Sequence, residues 1–218
     1  MTPIATTFLI VRHGETHWNV AGRLQGHLDS PLTPVGRAQA DAVAQRLAAE
    51  RLDALYTSDL GRARDTAAPI ERATGRTALR EPGVRERCYG IFESLTWGEI
   101  EAQYPREFAR LASRDPAYGV PEGESALAFR DRVLAALAGI AARHPGERVG
   151  VVTHGGVLGA LYRVATGLAF DAPRDYALAN AGLNRFAWRD ASLVLEAWGD
   201  VSHLAVAREA GVDVRDNI

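Results

Sequence analysis

Phe8-Leu9-Ile10-Val11-Arg12-His13-Gly14-Glu15-Thr16-His17-Trp18-Asn19 is the stretch on which the reading of this chain turns. Four apolar residues in a row, two of them β-branched, predict a short buried strand near the N-terminus. The chain then changes character at once, to a cation, an imidazole and a glycine. A buried strand that ends in Arg-His-Gly brings a fixed positive charge and a titratable nucleophile to the rim of a sheet. In open α/β sheets the carboxyl ends of the strands form the rim where ligands bind. The competing reading is a plain strand end whose Arg12 and His13 face solvent.

A second copy of the arrangement favours the site. Val149-Gly150-Val151-Val152-Thr153-His154-Gly155-Gly156 is again an apolar strand that ends in His-Gly, and Val157 to Val164 has helical spacing of apolar positions. Two such strands in one sheet bring both imidazoles to one crevice. A third element adds charge: Leu52 to Ser58 predicts a strand, and the segment from Asp59 predicts a helix with Ser58 or Asp59 as its N-cap. Arg62 then lies in the first helical turn, free to reach back over the sheet edge. A helix N-terminus with an arginine suits an anion; Arg64 fits a solvated helix surface better.

Around these elements, Thr33 caps a helix that begins at Pro34 and runs to about Glu50. A short strand follows at Thr77–Arg80, then a short helix from Thr96 to Tyr104, capped by Thr96 with Glu99 three residues on. A long helix spans Glu124 to Arg143 and closes at His144-Pro145-Gly146. Leu183 to Trp188 and Leu193 to Trp198 form a hairpin or a pair of edge strands, and Gly211 to Ile218 a loose tail. No linker, repeat or low-complexity tract interrupts residues 1–218, which are expected to form a single domain. Alternating βα units predict an α/β, three-layer sandwich: a mainly parallel sheet with helices on both faces.

Composition adds mostly exclusions. A formal net charge of −2 gives no case for a nucleic-acid or anionic-membrane partner. Cys88 alone cannot form an internal disulfide, and the apolar run after Met1-Thr2-Pro3 is too short for a signal peptide or a membrane span. A cytoplasmic location is expected. The glycines after His154 lack the spacing of a dinucleotide fingerprint, and nothing matches a Lys-bearing phosphate loop. His13, His154 and Glu86 are a conceivable divalent-metal set, but arginines beside both imidazoles would repel a cation, so no metal is expected. His17, His27, His144 and His203 are expected to be structural or surface residues, His144 complementing a helix dipole. Cys88 is expected to be a small buried hydrophobe.

Taken in order, these pieces resemble the histidine phosphatase superfamily, the phosphoglycerate-mutase-like fold. The resemblance rests on Arg12-His13-Gly14-Glu15-Thr16, Gly22-Arg23-Leu24-Gln25-Gly26, Pro31 to Ala40, Ser58 to Ala67, Arg85 to Gly90, Pro121 to Ser125 and Thr153-His154-Gly155-Gly156. One departure is visible: Ser94 stands where relatives place glycine after the Phe92-Glu93 pair. The resemblance implies Arg12, His13, Arg62, Glu86 and His154 as catalytic residues. It adds Thr16, Asn19, Gln25, Gly26, Tyr89 and Gly155 to the substrate-binding surface.

In the chemistry so implied, Arg12, Arg62 and His154 hold the equatorial oxygens of a phosphate monoester. His13 attacks phosphorus in line to form a phosphohistidine. Glu86 protonates the leaving alkoxide, then takes a proton from the hydrolytic water. No metal or organic cofactor is required. The expected activity is hydrolysis of a small phosphorylated metabolite by a monomer or homodimer. Alternatives are a 2,3-bisphosphoglycerate-dependent phosphoglycerate mutase and a non-catalytic module that binds a phosphorylated ligand. The interval from Glu86 to His154 is compact and holds no lysine and no Arg-Arg pair, against the mutase. Its Arg106, Arg110 and Arg114 have the spacing of a solvated helix face.

Overall fold

A computed structural model describes residues 5–204; the expected C-terminal tail lies outside them. The apolar run at the N-terminus forms strand β1 (Thr6–Arg12), whose alternate residues feed two cores, as the period of two requires. Phe8 and Ile10 pack with Val149, Val151 and Phe186 against helices α6 (Ala126–Arg143) and α7 (Gly155–Thr166). Leu9 and Val11 face the other way, onto Val43 and Leu47 of α2 (Pro34–Ala48) and Ala67 and Ile70 of α3 (Gly61–Thr74). Helices therefore cover both faces, giving the three-layer sandwich.

The remaining strands are β2 (Ala54–Thr57), β3 (Ala78–Arg80), β4 (Arg148–Thr153), β5 (Leu183–Arg189) and β6 (Ser192–Asp200), and the sheet order is β3-β2-β4-β1-β5-β6. β3, β2, β4 and β1 are parallel, and β5 runs antiparallel to both β1 and β6. The expected late hairpin is thus present and extends the sheet at one edge.

Capping chemistry set two boundaries as expected: Thr33 Oγ1 accepts from Gly36 N ahead of α2, and Thr96 and Glu99 form a capping box on α4 (Trp97–Gln103). The long helix expected from Glu124 starts instead at Ala126, with Ser125 as its cap. The start of α3 is a correction. Its N-cap is Leu60, with no side-chain cap of its own. Asp29, from the loop after the four-residue helix α1 (His17–Val20), caps it instead, accepting from Gly61 N (2.6 Å) and Arg62 N (3.3 Å). Ser58 Oγ accepts from Leu60 N (3.3 Å), ahead of the helix, and lies beside His154 Nε2, while Asp59 pairs with Arg85.

A third apolar cluster, around Phe92, Ile100, Tyr118 and Val120, underlies α4 and a further short helix, α5 (Pro105–Ala112). This layer sits beside the sheet rim and shapes one wall of the cavity there. Among the described residues no helix is long and apolar enough to cross a membrane.

Candidate active site

The sheet register places the two imidazoles side by side. Arg12 is paired with Thr153 across β1 and β4, so the residues after each strand, His13 and His154, leave the sheet together. His13 N donates to Thr153 O (2.8 Å), and the imidazole centroids are 5.3 Å apart with the rings inclined by 60°. On the other side of β4, Ser58 N donates to Val152 O, and Ser58 Oγ lies 2.8 Å from His154 Nε2. Three adjacent strand ends thereby build one floor.

His13 is buried, and its Nδ1 lies 2.8 Å from Gly14 O. A carbonyl only accepts, so Nδ1 carries the proton and the Nε2 lone pair is left for chemistry. Burial, then Arg62, then Arg12 hold the His13 pKa well below its ordinary value. His154 is held low in the same way, by burial first and then by Arg62, His13, Arg12 and His27. Both rings are therefore neutral near pH 7, and the Nδ1 proton of His13 is fixed on the far side of the ring from the Nε2 lone pair.

Arg62 is fully buried at the start of α3 and not loose, as the sequence suggested. Its Nη1 donates to Leu28 O and Asp29 Oδ1 (2.8 Å each) and its Nη2 to Gly26 O (2.8 Å). Arg12 donates through Nη1 to Leu178 O. Glu86 accepts from Gly156 N through Oε2 (2.9 Å) and from Arg87 N through Oε1 (2.8 Å). A Cβ on Gly156 would fall 2.0 Å from Glu86 Oε1, so the carboxylate can lie on the α7 N-terminus only because that residue is glycine. Gly26 is bound twice over: its φ is +53°, and a Cβ there would fall 2.0 Å from Glu93 Oε1.

Arg12, His13, Arg62 and Glu86 line a cavity of about 590 Å³, together with Asn19, Gln25, Gly26, Tyr89 and Gly155. Burial, ahead of the charge of Glu86, pushes the Tyr89 phenol up to about 12, so it remains a neutral donor. Two expected site residues are not among the described residues that line the cavity. Thr16 does not line the cavity: it is fully buried and its hydroxyl engages Asn19 in a capping box on α1, which positions Asn19 at the wall. The His154 side chain lies wholly beneath the floor, with Nδ1 buried and without a partner among the described residues. An anion on the floor would give that nitrogen a role.

Sequence reasoning missed the residues that hold this floor. Glu93 accepts from His27 N, Leu28 N and Tyr89 N, clamping the first loop to the segment bearing Glu86. His27, expected to be a structural or surface residue, places Nε2 3.0 Å from Glu86 O. Ser94, after Glu93, has φ +71°, the conformation that a glycine would take without strain. Cys88 is not a core residue: it is half-buried, and its thiol donates to Glu122 O. His144 ends α6, between Tyr56 Oη (2.9 Å) and Glu147 (2.7 Å). Among the described residues no group of three or more His, Cys, Asp or Glu is arranged to hold a metal ion.

The family model of the histidine phosphatase superfamily (branch 1) matches residues 8–201, and the chain belongs to that superfamily. It is 42% identical over 203 residues to a metal-independent phosphoserine phosphatase of Arabidopsis thaliana, covering 92% of this chain and 84% of that protein. It is 38% identical over 200 residues to phosphoglycerate mutase-like protein 4 of the same organism, covering 90% and 86%. The solved structure of Bacillus stearothermophilus YhfR superposes with a TM-score of 0.84 at 35% identity, covering 91% of this chain and 99% of that one.

Proposed function

We propose that this chain is a phosphatase that hydrolyses phosphate monoesters through a phosphohistidine on His13. The observation that carries the reading is the state of His13: neutral, with Nδ1 committed to Gly14 O and Nε2 left for attack, in a floor that also holds Arg12 and Arg62. The guanidiniums bind the phosphoryl oxygens and offset the charge that builds on them in the transition state. His154, through its unpartnered Nδ1, adds a further contact to the same oxygens. Glu86 is the only carboxylate among the described residues that line the cavity, so it is the group that passes a proton to the leaving oxygen and recovers one from water.

The mutase reading needs a phosphohistidine shielded from water while a bound intermediate turns over. Here the cavity wall between Glu86 and His154 comes from single residues of α4 (Trp97) and the loop after α5 (Arg114), from Arg87 and Tyr89, and from Ala126 and Phe129 of α6, with Trp97 and Arg114 exposed at the rim. That is a thin cover. Support for hydrolysis also comes from the similarity to the phosphoserine phosphatase at 42% identity; relatives at 38% and 36% identity bear mutase-like or probable-mutase names. Incubation with a panel of phosphorylated metabolites is expected to release inorganic phosphate. Interconversion of 2- and 3-phosphoglycerate is expected to be negligible, even with added 2,3-bisphosphoglycerate. Efficient interconversion with little free phosphate would overturn the assignment.

A further inference from the structure

The cavity is larger than a phosphoryl group needs. At about 590 Å³ it falls in the range of roughly 300–1,000 Å³ that encloses a drug-sized ligand. The outer part is also strongly cationic. Beyond Arg12 and Arg62 on the floor, five arginines line it, and Glu86 is the only acid among the lining residues. Three of the five are already occupied by the protein: Arg23 by Glu99 (2.7 and 3.1 Å), Arg87 by Glu124 O and Tyr118 O, and Arg163 by Ala169 O and Ala172 O.

Arg114 and Arg174 remain. Both are exposed and line the same cavity, one after α5 and the other in the loop after α7. Neither guanidinium has a hydrogen-bond or ion-pair partner among the described residues. Asp115, next to Arg114, spends Oδ1 on Ala117 N. Arg114 also holds φ at +59°, a conformation that costs a non-glycine residue free energy and concentrates at functional positions. Trp97, 45% exposed, lines the same cavity and offers a flat apolar wall to whatever joins the two ends of a substrate.

We propose that the outer cavity is a second anion subsite. Arg114 and Arg174 receive a carboxylate or a second phosphate carried on the alcohol part of the ester, whose body lies against Trp97. The proposal rests on the phosphatase reading above. It names the substrate class as monoesters with a distal anion.

Steady-state kinetics of the full chain on three para-substituted phenyl phosphates test it: the 4-carboxylate, the 4-phosphate and, as uncharged isostere, the 4-carboxamide. At low salt at least one anionic ester is expected to show kcat/KM about tenfold above the amide, after halving the bisphosphate value for its two equivalent esters. Higher ionic strength shrinks that preference. The larger preference assigns the anion as carboxylate or phosphate. In Arg114→Gln combined with Arg174→Gln the ratio falls to about one, whereas Arg106→Gln, on the exposed face of α5 and outside the cavity, retains it. Equal kcat/KM for all three esters in the wild type overturns the subsite and leaves the phosphatase standing. A preference that survives both rim substitutions overturns the assignment to Arg114 and Arg174. Absence of phosphate release from all three overturns the phosphatase reading itself.

Discussion

His13 shows how little a residue's identity says without its proton. The sequence placed an imidazole at a strand end; the structure adds that Gly14 O holds the Nδ1 proton and that burial and two arginines keep the ring neutral. Imidazole NMR should therefore show His13 titrating below about 6.5, the value for an unperturbed histidine; titration at or above that value would remove the proposed nucleophile. The same shift has a stability cost with a defined sign. The folded pKa values of His13 and His154 lie below those of the unfolded chain, which therefore binds protons first as pH falls. Stability is full above about pH 6.5 and declines as pH drops through that value toward the folded-state pKa values, and denaturant melts across this window should record the decline. Glu86 makes a separate prediction. Glu86→Gln should cost about 10²–10⁴ in kcat on alkyl phosphates and far less on p-nitrophenyl phosphate, whose leaving group departs without a proton. Equal losses would assign the proton donor elsewhere.

At the scale of elements, the legible parts were those encoded locally. β1 and β4 announce themselves by apolar runs, and α2 and α4 by Thr33 and Thr96 at their starts. What no local pattern encodes is the α3 cap, because Asp29 lies more than thirty residues upstream of the amides it accepts from. Its carboxylate does two things there, capping the helix and holding Arg62 in place. Asp29→Ala should therefore lower stability by about 1 kcal/mol through the lost cap and also raise KM, whereas Asp29→Asn, itself a good cap, should restore most of the stability and not the KM. Identical stability in all three proteins would refute the capping role. Ser94, the one visible departure from the family pattern, holds a left-handed backbone, φ +71°. Ser94→Gly should raise stability by up to about 1 kcal/mol, read from denaturant midpoints.

For the whole molecule, the order of strands does what no segment does alone. Placing β4 between β2 and β1 sets Ser58, His154 and His13 in one row, and packing α3 and α7 against opposite faces brings Arg62 and Gly156 to that row from two sides. The three-layer plan followed from alternating βα units; the wall supplied by Trp97 of α4 and by Arg114 after α5 did not, because Arg106, Arg110 and Arg114 share a helical spacing that says nothing of which one meets a cavity. Arg106 and Arg110 are exposed on α5, with Arg110 stacked over Tyr118, and Arg114 alone of the three lines the site. The central claim is that all this serves one covalent intermediate. Rapid quenching of the wild type during turnover of a ³²P-labelled monoester, followed by peptide mapping, tests it most directly. The account predicts base-stable, acid-labile label on the peptide containing His13, absent from His13→Ala, which should also lose turnover, while His154→Ala keeps a residue of about 10⁻²–10⁻³ of the rate. Label on another residue, or full activity in His13→Ala, would contradict it.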